Sequence, residues 1–250
     1  MKRIISLSLV TALMFATQSC KQEQPLNIVI LADFSSSRDS TMDWYRQTIT
    51  TGVMLKMTPR QRLVVLPIDY ASETGSSEIF SVDYTPNRYE NEYAGLQGAD
   101  VEKQNHLDSV RVAISRFEPA FEEARRRRTK LHQGTDVIGA LKAAKKYFRT
   151  DERNLVVILS DMEQVTDKTD LNFERNLNSP AEIERYLKRV EKIDLSGMDI
   201  IVLTGMQSDI TPAKFNAVSG FWQKYVSQSG GHLIDYSSGA VAKLEDAVSH

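Results

Sequence analysis

Asp33, Ser35 and Ser37 stand at alternate positions of Asp33-Phe34-Ser35-Ser36-Ser37, where the apolar run Leu26 to Ala32 gives way to a polar loop. One carboxylate and two hydroxyls so spaced can turn three oxygens inward when the loop curls around an ion. Such donors suit a hard cation, Mg2+ or Mn2+, better than Zn2+. Two more oxygen donors lie far along the chain: Thr135, in Gln133-Gly134-Thr135-Asp136, and Asp161, which ends a second apolar run, Val156 to Ser160. With only one or two charged ligands, an ion held there stays electron-poor and can accept a carboxylate from outside. That is a way of binding a partner protein and needs no catalysis.

Other chemistries find less support in the residues. The histidines, His106, His132, His232 and His250, sit in no nucleophile elbow and are too scattered for a zinc cluster. No glycine-rich phosphate loop is present. An aspartyl phosphotransferase could use Asp33 as nucleophile, but such sites usually carry a second carboxylate two residues on, and here that residue is Ser35. The alternative reading of the serine cluster, a polar turn that caps the next helix, carries less weight than the cation site. Glu163, Asp167 and Asp170 follow Asp161 closely and form either a solvated acidic loop or a second cation site.

The elements that must position these donors alternate along the chain as βαβ units do, which implies a mostly parallel sheet. Leu26 to Ala32 is aliphatic without alternation, as in a strand buried on both faces. Ser40 and Asp43 are candidate caps for a helix to about Met57, followed by a strand from Arg62 to Asp69. Glu78 to Tyr84 returns as an antiparallel edge strand after the Gly75-Ser76-Ser77 turn, and Thr85 to Asp100 is an irregular insertion. A long helix is expected over Lys103 to Lys130, bent at Pro119, with the Arg125 to Arg128 run at the end that the helix dipole favours for cations. That run is alternatively a patch for an acidic partner or lipid headgroups. Then come a helix from Asp136 to Phe148, the strand Asn154 to Ser160, and a helix from the Ser179/Glu182 capping box, with Pro180 at its first position, to Ile193. Met198 to Thr204, Pro212 to Ser227, His232 to Tyr236 and Val241 to Val248 read as strand, helix, strand and helix. The expected fold is α/β: a three-layer, doubly wound, mostly parallel six-stranded sheet with one antiparallel edge strand. Ligands of such sheets bind at the carboxyl ends of the strands, where strand order reverses.

Taken together, Asp33-x-Ser35-x-Ser37, Thr135 in its Gly-Thr-Asp context and Asp161 resemble the metal-ion-dependent adhesion site of von Willebrand factor type A domains. The resemblance covers Leu26 to about Val248. It implies that Ser35 and Ser37 ligate the ion through their hydroxyls and that Asp33 holds it directly or through water. Thr135 would approach when ligand is bound, with Asp161 in direct or water-mediated contact. It implies a Mg2+-dependent, non-catalytic module for a protein or peptide ligand that presents a carboxylate. Met162 departs from the pattern, since the family often has Gly after the acidic residue. The competing expectation is a metal-independent scaffold or assembly protein that recognises its partner through Thr85 to Asp100. A hydrolase with an unrecognised site is a third.

The first nineteen of the 250 residues differ from the rest: Lys2-Arg3, an apolar stretch from Ile4 to Ala16, then small and polar residues before Cys20, the sole cysteine. This is the layout of an export signal, and the apolar stretch is too short to span a bilayer comfortably. Ala16-Thr17-Gln18-Ser19-Cys20 resembles a bacterial lipoprotein signal, which implies lipidation of Cys20, a short tether over residues 20–25 and a domain over residues 26–250. The expected place is the cell envelope, membrane-anchored and facing the periplasm or the exterior. The alternative is an ordinary secreted protein with a chance cysteine. Removing residues 1–19 takes away Lys2 and Arg3 and no acid, so 29 basic residues face 33 acidic ones, a balance of about −4. That balance argues against a nucleic-acid partner.

Overall fold

The computed structural model describes residues 24–34, 39–70, 72–75, 77–84, 99–128, 134–166, 169–171, 177, 179–205 and 211–249. Six strands form one sheet in the order β3-β2-β1-β4-β5-β6: β1 (Leu26–Asp33), β2 (Gln61–Ile68), β3 (Phe80–Asp83), β4 (Arg153–Leu159), β5 (Met198–Leu203) and β6 (His232–Ser237). All pairings are parallel except β2 with β3, where Arg62 faces Asp83 and Val65 faces Phe80. Among the described residues the helices are α1 (Asp39–Gln47), α2 (Ser72–Gly75), α3 (Ala99–Arg128), α4 (Val137–Lys145), α5 (Pro180–Leu187), α6 (Pro212–Gln228) and α7 (Ala242–Ser249). This is the expected doubly wound α/β architecture with its antiparallel edge. None of these helices is long and apolar enough to cross a membrane.

The side-chain alternation of the strands sorts the core into two layers. Val29, Leu31, Val156, Ile158, Ile200 and Val202 pack toward α4, α5 and α6. Ile28, Ile30, Ala32, Leu155, Val157 and Leu159 pack toward α1, α3 and α7. Burial of each such side chain contributes about 1.5–3 kcal/mol, which is why the central strands tolerate no polar alternation. Phe34, Phe121 and Phe117 pack in series as tilted ring pairs, with centroids 5.2 Å apart for Phe34 and Phe121 and 5.5 Å for Phe117 and Phe121. They fasten α3 beside the loop that leaves β1.

Several element ends differ from the sequence expectation. The described part of the first helix spans Asp39–Gln47, so Ser40 and Asp43 lie inside it. It stops as an α-helix at Gln47 and continues as a π-turn, Thr48–Val53, and a 3-10 turn, Met54–Lys56. The Thr50 and Thr51 hydroxyls donate back to the carbonyls of Arg46 and Gln47, at 3.0 and 2.7 Å, and compete with the regular ladder there. Helix α3 starts at Ala99, takes in Ala99 and Asp100 from the expected insertion, and runs unbroken through Pro119. Residues 85–98, and the expected end of α3 at Lys130, lie outside the described residues. Arg125 pairs with Glu122, and Arg126 and Arg127 share Glu123, so these arginines are paired within the helix that carries them. Helix α5 ends at Leu187, short of Ile193, because the chain beyond is held from α6: the Tyr225 hydroxyl donates to the Glu191 carbonyl at 2.8 Å.

Candidate metal centre

The chain builds β1, β2 and β3 outward on one side and β4, β5 and β6 outward on the other, so the switch in strand order falls between β1 and β4. A crevice opens at the carboxyl ends of such a pair. Asp33 is the last residue of β1 and is 4% exposed. Ala32 is in register with Leu159, which places Ser160 and Asp161 beside it at the same end. Thr135 reaches this edge through the loop before α4. It exchanges two backbone hydrogen bonds with Val165, at 2.9 and 2.8 Å, and the next amide, of Asp136, donates to the Asp69 carbonyl just past β2 at 2.9 Å. Asp33 at the end of β1, Asp161 after β4 and the Thr135 loop, tied to the end of β2, lie at one edge of the sheet.

The Thr135 loop is locked by the residue after it. Asp136 caps α4: its Oδ1 accepts from the Gly139 amide and from Gln164 Nε2, both at 2.9 Å. The other end of the Gln164 amide accepts from the Ile138 amide at 3.1 Å, so one buried side chain ties the start of α4 to the loop after β4. Two glycines make room. A Cβ on Gly134 would lie 2.6 Å from the Tyr70 ring and 2.8 Å from the Val165 carbonyl oxygen, so only Gly allows the close approach that the Thr135–Val165 pairing needs. A Cβ on Gly139 would lie 2.0 Å from Asp136 Oδ2.

The electrostatics of the edge are those of crowded negative charge. Burial, and then the charge of Asp33, push the Asp161 carboxyl up to about 7, partly offset by a 3.0 Å hydrogen bond from the Glu163 amide and by Lys214. Tyr45, fully buried below, is raised well above the ordinary tyrosine range by burial and then by Asp33 and Asp161. Tyr236 is raised too, by burial and then by Asp161 and Glu163. Two carboxylates that raise each other's cost of ionisation suit a hard divalent cation, and Thr135 comes to the same end of the sheet through its backbone pairing with Val165. Among the described residues no group of three or more His, Cys, Asp or Glu that could hold a metal ion is found, at this edge or elsewhere. The Glu163 carboxylate is taken by Lys214 at 2.6 Å, Asp170 is engaged through its backbone with Val165, and Asp167 lies outside the described residues.

Met162, the departure from the glycine of the family pattern, keeps the backbone a glycine would adopt. Its φ is +66°, the left-handed region that costs an L side chain roughly 1–2 kcal/mol. It is held there because its side chain is buried in the core layer under α4, α5 and α6 and its carbonyl accepts from Trp222 Nε1 at 2.8 Å. Removing a buried Met side chain costs about 2–5 kcal/mol, more than the strain it would relieve. Met162→Gly should therefore lower unfolding free energy by about 2 kcal/mol in urea titration. A variant as stable as the parent would mean that the side chain contributes less than its burial implies.

Of the residues singled out from the sequence, Ser35, Ser37 and Cys20 lie outside the described residues. Two contributors gave no motif signal. Ser160, fully buried, donates its hydroxyl to Asp33 Oδ2 at 2.7 Å. Gln164, 2% exposed, forms the amide bridge to α4. The only sequence cue to Ser160 is its place between an apolar strand and an acid; for Gln164 there is none.

No family model matches the chain, and no curated protein matches it in sequence. Solved structures similar to it include a von Willebrand factor type A protein from Catenulispora acidiphila, at 12% identity and a TM-score of 0.48, over 91% of this chain and 42% of that one. Another is proximal thread matrix protein 1 from the mussel byssus with zinc occupied MIDAS motif, at 11% identity and a TM-score of 0.38, over 91% of this chain and 48% of that one. A third is the human COPII-coat protein Sec24c, at 10% identity and a TM-score of 0.39, over 91% of this chain and 32% of that one. The chain spans less than half the length of each of these proteins.

Proposed function

We propose that this chain is a von Willebrand factor type A-like binding module. It would hold Mg2+ or Mn2+ at the carboxyl edge between β1 and β4 and use it to take a carboxylate from a protein or peptide ligand. The observation that carries this reading is the meeting of Asp33 and Asp161 at the switch point, where each opposes ionisation of the other. Without a cation such a pair is a cost to folding, and with one it becomes a source of affinity. Asp33 and Asp161 supply the charge, Thr135 and the serine hydroxyls of Ser35 and Ser37 the neutral oxygens. A bound divalent ion supplies a Lewis-acidic position with too few anionic ligands to satisfy it, open to an outside carboxylate. Tyr45 stays protonated beside it because burial and both carboxylates oppose its ionisation. The protein residues have binding roles and no catalytic one. Export and lipidation at Cys20 belong to the same proposal and would hold the module at a membrane surface in the cell envelope.

Calorimetric titration of MgCl2 into the full-length, chelator-treated chain should show saturable binding that disappears in Asp33→Ala. Absence of binding in the parent chain would sink the cation reading and leave the metal-independent scaffold.

A further inference from the structure

We propose that Ser160 and Trp222 are positioning residues of this centre: a buried hydrogen-bonded relay from α6 fixes the turn that carries Asp161 and the carboxylate of Asp33. The proposal rests on reading the centre as a cation site. Trp222, 1% exposed, donates from Nε1 to the Met162 carbonyl at 2.8 Å. The Met162 amide donates to Ser160 Oγ at 2.9 Å, and Ser160 donates its proton to Asp33 Oδ2 at 2.7 Å. A hydroxyl has one proton, so accepting from Met162 and donating to Asp33 leaves Ser160 a single orientation. Ser160 is 0% and Met162 1% exposed, so water does not compete for these bonds.

Asp161 stands between the two fastened residues. On its amino side Ser160 follows directly from β4, and on its carboxyl side Met162 is held at a φ of +66° by the bond from Trp222. The same helix fastens the next residue too, through the 2.6 Å pair of Lys214 with Glu163. Two points of α6, its first turn and its middle, therefore hold residues 162 and 163. The relay would not touch the ion itself and acts through Asp33 and the turn. Its consequence is geometric. Mg2+ demands near-ideal octahedral placement of its ligands, whereas Ca2+ tolerates a looser and larger shell. Carboxylates pinned from behind favour the stricter ion, and loosening them should cost Mg2+ more than Ca2+.

The test titrates MgCl2 and CaCl2 separately into the full-length chain as parent, Ser160→Ala, Ser160→Thr and Trp222→Phe, with thermal denaturation of each in EDTA. Ser160→Ala and Trp222→Phe should weaken Mg2+ binding about tenfold, the low end for groups that orient metal ligands, and Ca2+ binding by less. Ser160→Thr keeps the hydroxyl and should recover most of the loss. Variants less stable in EDTA yet unchanged in both affinities would overturn the relay and leave these residues a purely structural part. If Ser160→Ala does not fold, Trp222→Phe, which removes one donor and keeps an aromatic ring, decides alone. A parent chain that takes up no Mg2+ overturns the cation reading, and the relay with it; a parent that binds with unchanged variants overturns the relay only.

Discussion

Asp161→Asn should make the metal-free chain more stable at pH 8 and at the same time erase its stabilisation by Mg2+. Burial and the charge of Asp33 push the Asp161 carboxyl from 3.8 up to about 7. Each unit corresponds to about 1.4 kcal/mol, so roughly 4 kcal/mol is the ceiling on what its ionisation costs the fold. The two carboxylates titrate as a pair, and part of that cost belongs to Asp33. The sign follows from a folded pKa above the unfolded one. Well below pH 3.8 the carboxyl is protonated in both states and contributes little. As pH rises toward 7 the unfolded chain ionises first, so stability is lost across that window and stays lost above it. Asn has the same shape, carries no charge and keeps an oxygen to accept from the Glu163 amide. A gain of roughly 1–3 kcal/mol at pH 8 in EDTA, shrinking as pH falls through 7 and lost below about 3.8, is the expected result by denaturant titration. In the parent, saturating Mg2+ should supply a stabilisation of RT ln(1 + [Mg2+]/Kd), about 2.7 kcal/mol at a hundredfold excess over Kd, and in the variant almost none. A variant destabilised at pH 8 without metal would show that Asp161 is held by attraction and not by crowding, and would remove the observation on which the proposed function rests.

The sequence disclosed what depends on residue type and neighbours along the chain. The strands at the centre were legible because two buried faces demand uninterrupted aliphatic residues, so β1 and β4 were expected to within a residue or so. The start of α5 was legible because Ser179, Pro180 and Glu182 are a local device. Its end was not, because the chain just beyond it is held by Tyr225, 34 residues past the Glu191 carbonyl that it reaches. The π-turn after α1 depends on where the Thr50 and Thr51 hydroxyls point, which no periodicity encodes. The same division runs through the centre. Asp33, Thr135 and Asp161 could be selected by donor chemistry, while Ser160 and Gln164 matter only because the fold sets them against a carboxylate and a helix start from distant parts of the chain. Met162 shows a third case. The sequence departs from the glycine pattern, yet the backbone keeps the glycine's conformation, because Trp222 and the core hold the side chain that the conformation disfavours.

Gly139→Ala reverses the usual expectation for a helix. Within a helix, Ala is ordinarily preferred over Gly by about 1 kcal/mol. Here the added Cβ would fall 2.0 Å from Asp136 Oδ2, 2.7 Å from its Cγ and 3.0 Å from the Glu73 amide nitrogen. The Glu73 backbone belongs to α2 and cannot yield as a flexible side chain would, so the Asp136 carboxylate has to move. Moving it breaks the cap on α4 and the bond from Gln164 together. A lost cap costs about 0.5–2 kcal/mol and overpacking of a buried position about 1–3 kcal/mol, which together exceed the gain in propensity. The expected net loss is about 2 kcal/mol, read as a lower urea midpoint. The effect should also reach the cation. Thr135 adjoins Asp136, and its loop is held by the bonds of Asp136 to Asp69 and of Thr135 to Val165, so a displaced cap shifts the hydroxyl offered to the ion. Mg2+ affinity should fall in Gly139→Ala, and Asp136→Ala, which removes the cap without introducing a clash, should match it in affinity. A Gly139→Ala chain as stable as the parent, with undiminished Mg2+ binding, would mean that the start of α4 gives way easily and that its rigidity does not set the place of Thr135.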